Sequence, residues 1–590
     1  MPPKASPAAR PKMAALRAAD GEPMPAVPML ALESGGVVLV YGCDEKAIEV
    51  GQALEKHLDV TVLVKPPAEL TSLPTNEFPV ALGAIRSARG HLGAFEITVD
   101  EFAPPATAAA PLLSFGPARD GALSRCDIIL DLSGGPALFP SPDLRDGYLR
   151  TDPRDNAGTR SAILKARDLR GTFEKPRYIT FTEHLCAHSR SRITGCTRCL
   201  DLCPAGAIAP AGDHVAIDPN ICAGCGQCAS ACPTGAASYA MPPSDALMRK
   251  LRTLLLAYRA AGGEGATVLM HDELHGAPLI EALGHFGEDF SSRVLPFSIN
   301  EITQVSLEII AAAFVFGAAG VRFLLRGRPR HDVSGLTRTI ALAESILAGL
   351  GFGAGRVATI ETDDPDMLQA ALCAIPDMQC ALHPGGFLPM GGDKRGVVRF
   401  VLRELHRVAP APIDVVPLPQ LAPFGTVDID VAGCTLCLAC VSACPTGALS
   451  DNVDQPMLRF TENSCIQCGL CKSTCPEQVI TLTPQLDFRP TTASARVLKA
   501  EQPFCCIRCG KPFGVRSMVE RVTAKLAGKH WMFKDSQRRL DLIKMCDDCR
   551  VAAVSEENLD PHGPPRAPMR TTDDYLRERE KPRKSPDKDG

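Results

Sequence analysis

Two stretches of the chain alternate short apolar runs with longer, helix-periodic ones. In the first, "VVLVY" (37–41) reads as a strand, Asp44 to His57 as a helix, "VTVLV" (60–64) as a second strand, and "CDIILDLSGG" (126–135) supplies another. In the second, "TVLMHD", "RVLPFSI", "VRFLLRG" and "RVATIET" are strand-like, and helical patterns such as "ITQVSLEIIAAAFVFG" and "LTRTIALAESILAGLG" lie between and after them. Such alternation implies parallel sheets covered by helices. The longest apolar run, "IIAAAFVFGAAGV" (309–321), is too short to cross a bilayer. It reads as a buried helix running into a strand.

Composition narrows this picture. A chain of 590 residues, 45% hydrophobic and 22% charged, is long enough for three or four domains with their own cores. A net charge of −4 argues against nucleic acid as a partner, because binding it usually calls for a basic face. The first 35 residues lack the apolar core of a secretion signal. Like the Pro-rich, charge-rich end, they read as a disordered tail. A soluble cytoplasmic protein with no membrane span is expected. The loop after the first strand is where dinucleotides bind in such folds. Here Gly42 is followed by "CDEKA", so G-x-G-x-x-G is absent. "SGGP" (133–136) is only a loop signal, and no phosphate loop appears in 265–375. The expected scaffold is Rossmann-like without the glycine fingerprint, which argues against a flavin.

Twenty-five cysteines change the picture most. Many stand two or three residues apart, too close for all to find disulfide geometry, so they read as metal ligands in a reducing compartment. Two segments resemble each other: "ICAGCGQCASACPTGA" (221–236) and "GCTLCLACVSACPTGAL" (433–449) share "SACPTGA". The spacing is that of the iron–sulfur run C-x2-C-x2-C-x3-C-P, whose last cysteine binds the other cluster of a two-cluster module. The second module is complete. Crossed ligation gives one 4Fe–4S cluster on Cys434, Cys437, Cys440 and Cys475, and one on Cys465, Cys468, Cys471 and Cys444. The first module gives one on Cys222, Cys225, Cys228 and Cys203. Its partner has Cys196, Cys199 and Cys232 and lacks a thiolate, because Ile193 stands where the first cysteine should be. Cys186, ten residues before Cys196, can reach back at small entropic cost. His184, His188 and a three-iron cluster are the alternatives.

Near the end, "CCIRCGKPF" and "MCDDCR" each contain C-x2-C. Cys506, Cys509, Cys546 and Cys549 would make a closed four-thiolate zinc site, with a helical insertion such as "RSMVERVTAKLA" between the pairs. Rubredoxin-like iron and no metal are the alternatives. Cys43, Cys126, Cys373, Cys380 and Cys505 are expected to pack as small hydrophobes.

The expected order is a tail (1–35), an α/β domain (36–183), a first module (184–240), a parallel-sheet domain (245–410), a second module (428–485), a four-cysteine segment (500–555) and a tail (556–590). The fold class is α/β plus α+β: two two-cluster ferredoxin-like modules flank a parallel-sheet α/β domain, with an N-terminal α/β domain and a C-terminal zinc-knuckle-like segment. Over the two modules the chain resembles bacterial polyferredoxin-type 4Fe–4S proteins with tandem two-cluster domains. Residues 265–360 are faintly similar to the small iron–sulfur subunit associated with methanogen hydrogenase and heterodisulfide reductase. That family carries cysteines there for a two-iron cluster, and this segment has none. The chain also looks like iron–sulfur proteins that accompany molybdenum formate dehydrogenases in some proteobacteria. These resemblances imply an electron carrier with up to four 4Fe–4S clusters and redox protein partners, one of them a formate dehydrogenase-type oxidoreductase. No catalytic triad or paired carboxylate motif is evident, so a stand-alone enzyme is not expected. The rival readings are an iron–sulfur/flavin subunit of an oxidoreductase and a non-redox scaffold or assembly factor.

Overall fold

In the computed structural model, β1 (Met29–Ser34) precedes the first apolar run, which forms β2 (Val37–Gly42). The structure describes residues 9–66, 77–105, 115–286, 291–378, 380–381, 383–388, 392–452, 455–527, 537–557 and 570–580. Strand β2 runs parallel to β3 (Asp59–Val64) and to β7 (Ile128–Leu132). Beyond β3 the sheet continues with β4 (Val80–Arg89), β5 (Phe95–Ala103) and β6 (Ala122–Cys126), and beyond β7 with β8 (Tyr148–Arg150). Its order is β6-β5-β4-β3-β2-β7-β8. Period-two alternation decides which side chain goes where. Val38 and Val40 enter the core under the helices α2 (Glu45–Leu54) and α3 (Asn156–Arg167), while Leu39 and Tyr41 pack on the other face with Phe95 and Ile97. Asp44 caps α2, accepting from the Lys46 N–H at 3.1 Å. The helix ends at Leu54 rather than His57. Finally β1 pairs antiparallel with β9 (Gly171–Pro176).

The expected parallel-sheet domain is present. Strands β10 (Thr267–Asp272), β11 (Val294–Ile299), β12 (Gly320–Leu325) and β13 (Val357–Glu361) lie in the order β11-β10-β12-β13, every neighbour parallel. The long apolar run supplies a helix (Leu307–Val315) whose residues are all buried, and β12 follows it. Among the described residues no helix is long and apolar enough to cross a membrane.

The N-terminal tail is a correction. Residues Arg10–Asp20 form a helix, α1, whose Ala15 and Ala19 are buried in the core of the parallel-sheet domain, against the helix Ser244–Ala260. Thr253 on that helix donates to Glu22 at 2.5 Å. Alanine faces permit close helix approach but give little hydrophobic signal, so the segment reads as polar. At the other end Thr572–Glu580 is an exposed helix, and most of the expected tail beyond 556 lies outside the described residues. The seam at 410–425 also contributes structure: Val415–Pro417 pairs with Ile480–Asp487, and Phe424 is buried.

Candidate metal centres

Each cysteine run ends in a very short helix. Arg198–Leu202, Gln227–Ala231 and Leu470–Thr474 carry Cys199, Cys228 and Cys471, and the next cysteine is the residue that closes the helix. Cysteines four apart on a continuing helix would share one face. Here a proline follows and bars its neighbour from helical dihedrals. Cys203, Cys232 and Cys475 are accordingly extended, with ψ of 103°, 115° and 114°, so their thiols turn away from the run that precedes them.

In the C-x2-C-x2-C loops, the residues on either side of the middle cysteine have positive φ. They are Gly224 and Gly226 (both 77°), Leu436 and Leu438 (50° and 59°), and Gln467 and Gly469 (56° and 83°). Three of the six are not glycines; the left-handed turns fold successive N–H groups inward, an anion-binding arrangement. N–H groups two residues on bond the thiols of Cys222, Cys225, Cys434, Cys465 and Cys468. Ala207 N–H donates to Cys203 Sγ at 3.3 Å, and Gln467 Nε2 to Cys465 Sγ at 3.4 Å.

The thiols meet in four groups. Cys434, Cys437, Cys440 and Cys475 line one small cavity, and Cys444, Cys465, Cys468 and Cys471 line another. Burial pushes the Cys225 thiol up to about 12, helped by Cys203 and Cys222, and Cys228 rises with the same neighbours. Burial likewise takes Cys199 to about 12, with Cys196, Cys232 and Cys186 adding to it. Thiols gathered in fours form a sulfur donor set, and the N–H groups aimed at them favour its anionic form. Both features fit a thiolate-bound iron–sulfur cluster.

Cys186 is buried and packs with Cys199 and Cys232. His184 is exposed, and His188 spends Nδ1 on the Cys196 carbonyl oxygen at 3.1 Å. Ile193 lies in a hairpin (Ser189–Arg190 with Ile193–Thr194) inserted between Cys186 and Cys196. A repeat missed in the sequence exposes the relation: "TEHLC" (182–186) and "TENSC" (461–465). Each forms a 3-10 turn closed by a cysteine of the same conformation, φ −73° and ψ 134° for Cys186, φ −73° and ψ 130° for Cys465. The cysteine N–H donates to the glutamate carbonyl in both, at 2.9 and 3.0 Å.

The groups also stand in a row. Cys228 neighbours Cys199, Cys196 neighbours Cys468, and Cys471 neighbours Cys440. Cys196, Cys232 and Cys468 line one cavity between the modules. Arg198 sits there, half-buried, bonded to Cys196 and beside Cys232 and Cys468. Arg395 donates to the carbonyl oxygens of Asn463 at 3.2 Å, Pro423 at 2.7 Å and Cys465. Its guanidinium lies 4.5 Å from the centre of the Phe424 ring.

Cys506, Cys509, Cys546 and Cys549 form a fifth group, with all sulfurs within 4.8 Å of one another and Cys509 to Cys546 at 3.6 Å. A single ion with metal–sulfur bonds of about 2.3 Å would set tetrahedral sulfurs about 3.8 Å apart, so this spacing suits one ion rather than a cluster. The expected helical insertion is Arg516–Leu526. Cys505 is exposed and is not in the group. Cys126 is buried, whereas Cys373 is exposed and does not pack as a core residue.

Comparison with known families matches residues 192–236 and 433–480 to 4Fe–4S dicluster domains. The chain therefore carries two ferredoxin-type dicluster domains and 4Fe–4S clusters, and its chemistry is iron–sulfur electron transfer. Cys186 lies just outside the first match. No curated protein matches the chain.

Proposed function

We propose that the chain is a four-cluster electron relay, with the ligand sets Cys203/222/225/228, Cys186/196/199/232, Cys444/465/468/471 and Cys434/437/440/475 in that spatial order. The observation that carries this reading is the junction, where Cys196 and Cys468 from different modules line one cavity. Each cluster, when bound, supplies reversible one-electron transfer. The protein's part is to hold the thiols dry, aim N–H groups at sulfur, and place the Arg198 and Arg395 cations between the two inner sites. Half-buried positive charge there favours the more reduced, more negative form of both neighbours.

The relay serves redox protein partners in the cytoplasm, with a formate dehydrogenase-type oxidoreductase as the candidate drawn from the resemblance. The C-terminal thiols hold a structural zinc ion. That segment is tied to the outer end of module 2: Arg521 pairs with Glu477 at 2.5 Å and donates to the Gly433 carbonyl oxygen at 3.2 Å. Anaerobically purified protein should contain roughly 16 iron atoms per chain, four for each cluster, and should be reduced by dithionite and reoxidised reversibly. About eight irons would overturn the four-cluster assignment, and clusters that do not cycle would point to a scaffold.

A further inference from the structure

A cavity of about 960 Å³ lies at the other end of module 1 from the junction. Strand ends converge on it. Arg150 ends β8, Asp272 ends β10, Asn300 follows β11 and Arg326 follows β12, and all four line the space. The carboxyl ends of parallel strands are where α/β sheets bind ligands; here two sheets present those ends to one cleft. A further wall is Gly224 and Cys225, from the outermost cysteine loop of the relay. The volume is at the upper end of the range for small-molecule sites, about 300–1,000 Å³.

The lining is chemically mixed. Lys165 and Arg326 are cations that make no ion pair among the described residues. Asp143, Asp168 and Glu174 offer carboxylates suited to hydroxyl groups. Tyr178 contributes an aromatic ring, itself stacked on Tyr239 with centroids 6.4 Å apart. A ligand with a phosphate, a polyol and a planar ring would use all three. G-x-G-x-x-G is a device for a pyrophosphate; a single phosphate can be held by side-chain cations instead.

We propose that this cleft binds flavin mononucleotide, its phosphate toward Lys165 and Arg326 and its ring toward Gly224 and Cys225. The inference rests on the relay reading, because the centre at Cys225 exchanges electrons singly and its neighbour must do the same. A flavin can give up electrons one at a time; a nicotinamide passes a hydride. In the oxidative direction the reduced ring loses the hydrogens on N1 and N5 as two protons to water. Its two electrons pass in succession to the iron centre. The reverse reaction consumes the same two electrons and two protons.

The test uses the full chain with its clusters assembled anaerobically. It is titrated with flavin mononucleotide, riboflavin and flavin adenine dinucleotide, following flavin fluorescence and retention on ultrafiltration. The expected result is one flavin mononucleotide per chain, with riboflavin, which lacks the phosphate, weaker by about tenfold or more. Lys165→Glu with Arg326→Glu should weaken binding by a similar factor at unchanged iron content. Ser161→Trp, an exposed position on α3 that lines the cleft, should block it should the double variant lose iron. No retention by the wild type, equal binding of riboflavin, or unchanged binding in both variants overturns the proposal, and so does a preference for the dinucleotide. Dithionite reduction of the clusters is read separately. Clusters that cycle without flavin binding leave the relay standing and remove the flavin; bound flavin beside clusters that cannot cycle removes the relay and the electron exchange with it.

Discussion

At the scale of single residues, the proposed role of Cys186 as the fourth ligand of a module 1 cluster is open to direct test. Cys186→Ala should remove about four irons, or leave a three-iron signal in low-temperature EPR of the oxidised protein. His184→Ala, at an exposed position, should change neither. Loss of iron in the histidine variant and not in the cysteine variant would reverse the assignment. Arg198 is the second test. Unit charges about 8–12 Å apart at an effective dielectric near 20 interact by about 1.4–2 kcal/mol, and tenfold in a one-electron equilibrium is about 59 mV. Arg198→Gln should therefore lower the potentials of the two inner clusters by about 60–90 mV in a redox titration, leaving the outer two nearly unchanged. The cluster-forming runs are legible in the sequence because short spacing is what one loop around a cluster requires. The proposal for Cys186 is reached from the sequence only by elimination. The inserted hairpin hides the spacing, and the shared Thr-Glu-x-x-Cys turn is too short to stand out until both copies show the same dihedrals.

At the scale of elements, the strands β2, β3, β7 and β10 to β12 were readable because burial demands nearly continuous apolar runs, and β13 because it follows a helix-periodic stretch in the same alternation. Strands β4, β5 and β6 were not. "VALGAIRSAR" and "ALSRC" mix charges into the strand where one end or one face meets solvent. Helix α1 escaped for the opposite reason: Ala15 and Ala19 fill a narrow gap and bury little area. Ala15, at 0% exposure, should not tolerate a larger side chain, whereas Met13 is 41% exposed. Ala15→Leu should cost about 1–3 kcal/mol by overpacking, seen as a lower thermal midpoint, while Met13→Leu should be near neutral. Equal midpoints would mean that α1 is not held against the parallel-sheet domain. The C-terminal element makes a separate prediction. Cys506→Ala should release zinc and expose Arg516–Leu526 to proteolysis while cluster absorbance persists; loss of iron instead would make this an iron site.

At the scale of the whole molecule, the modules are far apart in sequence, and their adjacency could not be read from it. No motif codes for a close contact between one glycine and one leucine in different modules. The short helix Leu470–Thr474 packs against the strand Ile193–Thr194, and a Cβ on Gly195 would stand 2.5 Å from Leu470 Cγ. Gly195→Ala should thus push against a fully buried side chain, and either Leu470 shifts or the modules part. If the inner clusters form the bridge, parting them weakens their magnetic interaction in EPR of the reduced protein and slows transfer from one module to the other. Iron content should stay near the wild-type value, because Gly195 and Leu470 are not ligands. Trimming the obstructing side chain supplies the control: Leu470→Ala added to Gly195→Ala removes the clash and should restore part of both signals. Undiminished coupling in Gly195→Ala would mean that the interface absorbs a methyl group without moving. Unchanged transfer in a variant whose coupling is lost would show that electrons do not cross between Cys196 and Cys468, and the two modules would then be separate carriers on one chain.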